Sequence, residues 1–281
     1  MQLGFRTQQR ISHTIGLMLM GLVLLVVLFP IYWMLLTAIK PSGEIYRLPI
    51  KLYTTSPTLE NVRNLMAVTP FLTQLRNSIT VAVVAVSIAV VAAALAGYSL
   101  SRLEYPGRDF MASAVFFTYL IPGTMTLIPL YVMLARMGLL NSLHCLVIAY
   151  LAGALPFSVW MLKGYFSTIP MELENAALID GCNRLQALYK VILPLAGPGI
   201  VSCAIFTFTL SWNQYMLPMI FNNTENLWTL PVGLAGLVYG DVFLWGEIMS
   251  GAFLMSIPVL ALYVLGQRFV VSGLTAGAVK G

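Results

Sequence analysis

The sequence predicts an all-α polytopic membrane protein with six transmembrane helices, and two observations carry that prediction. Of the 281 residues, 59% are hydrophobic and only 9% are charged, whereas a soluble domain has about 25% charged residues. The few charges also divide the chain into six long uncharged stretches. So few charges cannot cover a water-exposed surface, and lipid must therefore contact most of the chain.

Each uncharged stretch reaches the length of about 20 residues that a hydrocarbon core of about 30 Å requires. The first stretch is longer than the apolar core of a signal peptide and no small-residue cleavage pattern follows it, so we interpret it as a retained span. In the fifth stretch the span is expected to occupy about residues 199–221. The six stretches are residues 14–39, 77–101, 110–135, 137–162, 191–224 and 248–267.

The distribution of basic residues predicts the orientation. Six spans place both termini on one side, and the segments on that side hold nine of the fifteen lysines and arginines. Loops rich in these residues stay in the cytoplasm, which favours two cytoplasmic termini. Residues 1–70 then form an N-terminal tail, the first transmembrane helix and an external loop, and residues 71–281 form a core domain with a cytoplasmic loop at 163–198.

The sequence lacks the residues that power transport or catalysis. The central parts of the spans contain no Asp, Glu, Lys or Arg, although ion-coupled transporters usually need such groups at membrane depth. His144, near the outer end of the fourth span, fits a structural or interfacial role better than a proton relay. No phosphate-binding loop, zinc-binding His-Glu-x-x-His or Gly-x-Ser-x-Gly motif occurs. We therefore expect no catalytic residue, no metal site and no cofactor, with the energy for uphill transport coming from a partner.

The loop at 163–198 predicts two short helices. Pro170 follows capping hydroxyl groups at the start of the first helix, and Gly181 is placed to end it. The second helix should begin near Asn183 and stop before Pro194. Such a hairpin either rests on the membrane surface or inserts into a groove of a partner, and composition leaves both open. The apolar residues expected to form one stripe on the second helix are Leu185, Leu188, Tyr189 and Ile192.

Candidates for a solute path come from the third and fifth spans. Two amide side chains lie beside two aromatic residues within the fifth span, where they either line a polar cavity or bond to another helix. The aromatic rings suit stacking on a sugar or a place at the membrane interface. Prolines break the third span at Pro122 and at Pro129, either as a simple kink or beside water. The candidate residues are Trp212, Asn213, Gln214, Tyr215, Pro122 and Gly123.

The order of residues in the hairpin is similar to the signature loop of the permeases of binding-protein-dependent ABC importers. The pattern is E-N-A-A-x-x-D-G at 174–181, followed by V-I-L-P at 191–194. The stretch YSLSRLEYPGR at 98–108 resembles the loop after the second span of that family. The tail GLTAGAVKG at 273–281 resembles the carbohydrate branch, in the subunit corresponding to the G-type permease of the maltose system. The resemblance extends from about residue 71 to the C-terminus.

The resemblance implies a MetI-like permease fold in a non-catalytic subunit of the bacterial inner membrane. It also implies a second permease, two ATPase subunits that bind ATP and magnesium, and an external solute-binding protein. The expected solute is a carbohydrate, and no nucleic acid is expected. An importer of the same architecture for another solute is one alternative. A membrane enzyme or channel is an alternative from another class.

The resemblance also implies roles for particular residues. The family usually has a glutamate directly before the alanine pair, whereas this chain has Asn175 there and Glu174 one position earlier. Either residue could therefore make the main polar contact with the ATPase. The tail resembles tails that reach the ATPase interface through Gly277 and Lys280, with a frayed terminus as the alternative. The residues implied in ATPase coupling are Glu174, Asn175, Ala176, Ala177, Asp180 and Gly181.

Overall fold

A computed structural model shows that the described part of the chain is mostly helical with almost no strand, which confirms the predicted fold class. The structure describes the backbone of residues 2–240 and 242–278, and the side chains of residue 9 and of residues 13–238 and 242–269. Within these ranges the only strands are β1 (Val238–Tyr239) and β2 (Val242–Phe243), which pair antiparallel. The helices are α1 (Gln2–Ile39), α2 (Ser42–Ile45), α3 (Glu60–Val68), α4 (Phe71–Arg102), α5 (Arg108–Leu120), α6 (Gly123–Arg136), α7 (Leu143–Phe166), α8 (Met171–Ile179), α9 (Arg184–Ala187), α10 (Leu193–Leu195), α11 (Gly197–Trp212), α12 (Met216–Phe221), α13 (Leu230–Ala235) and α14 (Trp245–Ala278).

Four of these helices are long and apolar enough to cross a membrane: α1 from His13, α4, α7, and α14 as far as Phe269. Two bent pairs pass the same test, α5 with α6 and the helical segment Arg184–Leu195 with α11. Each of the six predicted spans corresponds either to one of the four helices or to one of the two bent pairs. The structure is therefore consistent with six spans, two of them broken.

The third predicted span bends by 97° between α5 and α6. The two residues at the bend, Ile121 and Pro122, have extended backbone with ψ of 123° and 129°. Proline lacks an N–H group and disfavours the helical conformation of the residue before it, so the helix ends here. The break predicted at Pro122 is confirmed. The break predicted at Pro129 was wrong, because this residue lies inside α6 without ending it.

The second helix of the hairpin also departs from the prediction. We expected it to stop before Pro194, but helical backbone continues to Leu195 and bends by 75° only before α11. A π-helical turn, Leu188–Ile192, lies directly before α10. Pro194 is the middle residue of the three-residue helix α10.

The chain forms two compact units. The first contains Met1–Thr69 and Leu234–Ser256, and the second contains Pro70–Gly233 and Ile257–Gly281. In the first unit, Asn61 is buried and its amide donates to the carbonyls of Ala38 at 2.9 Å and Lys40 at 2.7 Å. Residues 234–256, which the sequence grouped with the core domain, join this unit through side-chain contacts. One of these is the hydrogen bond from Tyr46 to the carbonyl of Phe243 at 2.7 Å.

The core of the second unit is built on close contact between α4 and α7. Three alanines at intervals of four residues on α4, Ala85, Ala89 and Ala93, are completely buried. Small residues at this spacing let two helix backbones approach each other in a membrane. Gly97 continues the series, and a β-carbon there would lie 2.9 Å from the backbone nitrogen of Lys163 on α7. The two helices are therefore packed without space between them.

Candidate functional site

The segment 163–198 folds as the predicted helical hairpin, and its turn is fixed by backbone hydrogen bonds. Gly181 has a φ of +88°, a left-handed conformation that glycine adopts without strain. Its N–H group donates to the carbonyl of Leu178 at 3.1 Å, and that of Cys182 donates to the carbonyl of Ala177 at 3.0 Å. This pair of bonds is the Schellman motif. The helix end predicted at Gly181 is confirmed, and the chain direction after α8 is set by the backbone itself.

A capping box starts the second helix of the hairpin. The side chain of Asn183 accepts a hydrogen bond from the backbone N–H of Gln186 at 2.9 Å, and the side chain of Gln186 accepts one from the backbone N–H of Asn183, also at 2.9 Å. These two bonds satisfy N–H groups that a helix start otherwise leaves unpaired. The start predicted near Asn183 is therefore confirmed.

Glu174 lies inside the hairpin and is completely buried. Its Oε1 atom accepts a hydrogen bond from the hydroxyl of Tyr98 at 2.6 Å and lies 3.3 Å from Nη1 of Arg184. The carboxylate thus joins three parts of the chain: α8, α9 and the end of α4. No part of this side chain is exposed, so in this structure Glu174 makes an internal contact, and its predicted contact with an ATPase stays a prediction.

Arg102, the last residue of α4, is the second buried charged group that holds the hairpin. Its guanidinium donates to the carbonyls of Phe166 and Ile169, and Nη1 lies 3.2 Å from the sulfur of Met171. Phe166 ends α7, and the carbonyl groups at a helix C-terminus carry partial negative charge that a cation stabilises. Arg102 therefore attaches α4 both to the end of α7 and to the start of the hairpin.

Sequence reasoning missed the roles of Tyr98 and Arg102. The two residues are four apart and so lie on the same face of α4. Both belong to the stretch 98–108 that carried part of the family resemblance. The sequence held a further signal for Arg102, because this charged residue comes directly after a long apolar span. What the sequence could not supply was the partner of either side chain.

The exposed surface of the hairpin combines small polar groups with large apolar side chains. Of the residues implied in ATPase coupling, Asn175, Ala176, Asp180 and Gly181 are exposed, whereas Ala177 is buried. Ile179 is 86% exposed, Leu185 70% and Tyr189 74%. The single apolar stripe predicted on the second helix was wrong, because Leu188 and Ile192 point into the core.

The candidates for a solute path lie at two interruptions of helices. Asn213, Gln214 and Tyr215 separate α11 from α12, and Asn213 and Tyr215 are exposed. Trp212 is 2% exposed and stacks on Phe208 with ring centroids 5.3 Å apart. Its ring therefore belongs to the interior of the second unit. Pro122 and Gly123 are exposed at the bend of the third span.

The two C-terminal candidates lie at the end of the described backbone or beyond it. Gly277 lies in the last turn of α14, and Lys280 lies outside the residues that the structure describes. Their predicted contact with an ATPase stays a prediction. Among the described residues, no group of three or more His, Cys, Asp or Glu side chains is placed to hold a metal ion.

The geometry defines a membrane protein with an internally fixed hairpin between two spanning segments, and comparison with known families identifies its class. Residues 89–276 match the model of the binding-protein-dependent transport system inner membrane component. This match covers more than half of the chain and includes the whole hairpin. The chain belongs to this family of membrane transport proteins, as the signature loop predicted.

Similar proteins place the chain more narrowly within the family. It is 38% identical to the diacetylchitobiose uptake system permease protein DasC of Streptomyces coelicolor over 255 residues, which cover 90% of this chain and 92% of the relative. It is 35% identical to the trehalose/maltose transport system permease protein MalG of Thermococcus litoralis over 277 residues, 97% of this chain and 98% of the relative. The predicted similarity to the G-type permease is confirmed.

A solved structure confirms the fold independently. The chain is similar to a chain in the crystal structure of a bacterial ABC transporter involved in the import of the acidic polysaccharide alginate, with a TM-score of 0.81. The match covers 93% of this chain and 97% of the other, at 22% sequence identity. At this identity the likeness establishes the shared permease fold alone.

Proposed function

We propose that this chain is the permease subunit of an ATP-driven importer for a sugar or oligosaccharide, and that its hairpin contacts an ATPase subunit. In this assembly a second permease, two ATPase subunits and an external solute-binding protein complete the transporter. ATP and magnesium bind to the ATPase subunits, so this chain contributes neither a cofactor site nor a catalytic step. In the proposed topology, both termini lie in the cytoplasm and the hairpin lies on the same side of the membrane.

One observation carries the proposal. Buried contacts attach the hairpin to the neighbouring helices, while its other side chains leave an apolar surface exposed. Glu174 and Arg102 hold the hairpin to α4 and α7 from inside. Ile179, Leu185 and Tyr189 are left largely exposed, and the polar side chain of Asn175 is exposed on the same hairpin. A rigid knob with apolar side chains fits a groove in a partner protein. Glu174 is thus a positioning residue, and Asn175 makes the polar contact with the ATPase.

Binding of ATP would close the ATPase dimer and move the hairpin as one body. Because the hairpin is attached to α4 and α7, its displacement reaches the spanning helices directly. The permease then switches between inward-facing and outward-facing states, whose populations are set by the nucleotide.

The carbohydrate class rests on the relatives, two of which are named for diacetylchitobiose and for trehalose and maltose. The exposed residues at the helix breaks suit such a solute, since Tyr215 offers an aromatic face and Asn213 an amide. Pro122 and Gly123 are proposed to line the path because both residues are exposed where the helix is interrupted. Trp212 supports this region from within.

The proposed ATPase contact is tested with the variant Ile179→Glu. A large apolar side chain buried at an interface contributes about 1.5–3 kcal/mol, and introducing a charge there adds an unpaired group. We expect recovery of the ATPase subunit with the tagged permease to fall by about tenfold or more, while the permease itself still inserts in the membrane.

The matched control is Leu48→Glu, which charges an equally exposed apolar residue, 79% accessible, outside the hairpin. This variant should recover the ATPase subunit like the unmodified protein. Undiminished recovery with Ile179→Glu would contradict the proposed contact.

A further inference from the structure

The end of α4 opposite the hairpin makes a second set of buried polar contacts. Asn77 is 2% exposed and donates through Nδ2 to the carbonyls of Asn226 at 2.8 Å and Trp228 at 3.0 Å. The next residue, Ser78, accepts a hydrogen bond from the backbone N–H of Leu230 at 2.8 Å. Consecutive residues of α4 thus hold the segment 222–230, which runs from the end of α12 to the first residue of α13.

A third contact lies one turn away on the same helix face. Gln74 is 1% exposed, and its amide packs directly against Gly233, where any β-carbon would overlap the amide. Residues 74, 77 and 78 have the i, i+3, i+4 spacing of neighbours on one side of a helix. This end of α4 is therefore closely fitted to the segment 222–230 and to the helix that follows it.

The segment 222–230 is itself held in one conformation. Nδ2 of Asn222 donates to the carbonyl of Leu227 at 3.0 Å, and Nε1 of Trp228 donates to the carbonyl of Asn222 at 3.0 Å. Oδ1 of Asn141 accepts from the N–H groups of Asn223 and Thr224, each at 3.1 Å. A displacement of this segment would therefore move the end of α4 with it.

Between the two ends, α4 is one uninterrupted helix of 32 residues. From Gln74 to Arg102 it spans about 42 Å at 1.5 Å per residue. The buried series Ala85, Ala89 and Ala93 packs this length against α7. A helix that is continuous and closely packed along one side transmits an axial or tilting movement without absorbing it.

We infer that α4 is a rigid link that connects the segment 222–230 at one membrane surface to the coupling hairpin at the other. The inference rests on the proposed function, which makes the first surface external and the hairpin the ATPase contact. Docking of the loaded solute-binding protein near the segment 222–230 then biases the hairpin through α4. Asn77 and Ser78 are positioning residues for this communication and touch neither ATP nor solute.

The test uses the complete transporter and compares ATP hydrolysis with and without the solute-loaded binding protein. Each of Asn77→Ala and Ser78→Ala removes hydrogen bonds at the outer end of α4, and we expect each to reduce stimulation about fivefold. The double variant should lose most of the stimulation, with basal hydrolysis and ATPase recovery unchanged.

The control is Ser87→Ala, on the exposed face of the same helix. Full stimulation in the double variant would overturn the inference, and so would loss of ATPase recovery.

A measurement on the unmodified transporter does not depend on how the variants fold. The N–H group of Leu230 is bonded to Ser78, and in a rigid link this bond persists through the cycle. Hydrogen exchange at Leu230 should therefore be equally slow in the nucleotide-free and ATP-trapped states, and acceleration of about tenfold or more in either state would contradict the link. A different result would contradict the proposed function, namely full recovery of the ATPase subunit with the Ile179→Glu variant.

Discussion

Replacement of Arg102 by alanine is expected to abolish solute uptake by the reconstituted transporter. The guanidinium donates to the carbonyls of Phe166 and Ile169, so the variant loses two charge-assisted hydrogen bonds that join α4 to the base of the hairpin. Such bonds contribute about 1.5–3 kcal/mol each. Loss of both is enough to lower the population of the correctly placed hairpin about 100-fold. ATP-dependent accumulation of labelled sugar in vesicles measures the effect.

The control for this variant is Arg108→Ala. Arg108 lies in the same short stretch of sequence, but its ion pair with Asp109 is at the surface, where the aspartate side chain is 88% exposed. Surface pairs contribute little to stability, so uptake should stay near that of the unmodified protein. An Arg102→Lys variant should recover uptake only in part, because an ammonium group cannot reproduce the planar contact with two carbonyls. Normal uptake with Arg102→Ala would show that the attachment is unnecessary.

Replacement of Glu174 by alanine is expected to loosen the hairpin and to reduce uptake at least tenfold. The buried hydroxyl of Tyr98 loses its acceptor at 2.6 Å and keeps only a contact of 3.5 Å with the carbonyl of Arg184. A buried polar group left without a good partner costs about 1–3 kcal/mol. The guanidinium of Arg184, whose side chain is 56% exposed, also loses its ion pair. Faster tryptic cleavage after Arg184 or Lys190 in the detergent-solubilised transporter reports the loosening independently of uptake.

Two further variants separate the buried role of Glu174 from a surface role. Glu172 lies on the same helix but is exposed, so Glu172→Ala should leave cleavage and uptake unchanged. Glu174→Gln keeps an acceptor for Tyr98 and loses the charge next to Arg184, so it should fall between the alanine variant and the unmodified protein. Equal effects of Glu172→Ala and Glu174→Ala would contradict the internal role assigned to Glu174.

The prediction of the fold succeeded where local chemistry decides the structure. The stretches without charges located the spanning segments. Moving a charged side chain into hydrocarbon is costly whatever contacts the rest of the chain makes. Pro122 ended a helix, Gly181 formed a left-handed turn and Asn183 started a helix, and each of these effects depends on a few neighbouring residues. The hairpin and the family of the chain could therefore be predicted from the sequence.

The prediction failed where contacts distant in sequence decide. Glu174 has the sequence features of a surface residue in the first turn of a helix, yet it is buried because Tyr98, 76 residues earlier, provides a partner. The hydrogen bond from Tyr46 to the carbonyl of Phe243, 197 residues later, is another pairing that the sequence did not supply. None of these partners can be read from local composition or periodicity.

The most direct test of the account is reconstitution of the purified chain in vesicles, alone and together with the second permease, the ATPase subunits and the loaded binding protein. We predict accumulation of sugar against a gradient only in the complete assembly and only with ATP inside the compartment that the hairpin faces. Accumulation by the isolated chain, or by the assembly without ATP, would contradict the claim that separate ATPase subunits drive this permease through its hairpin.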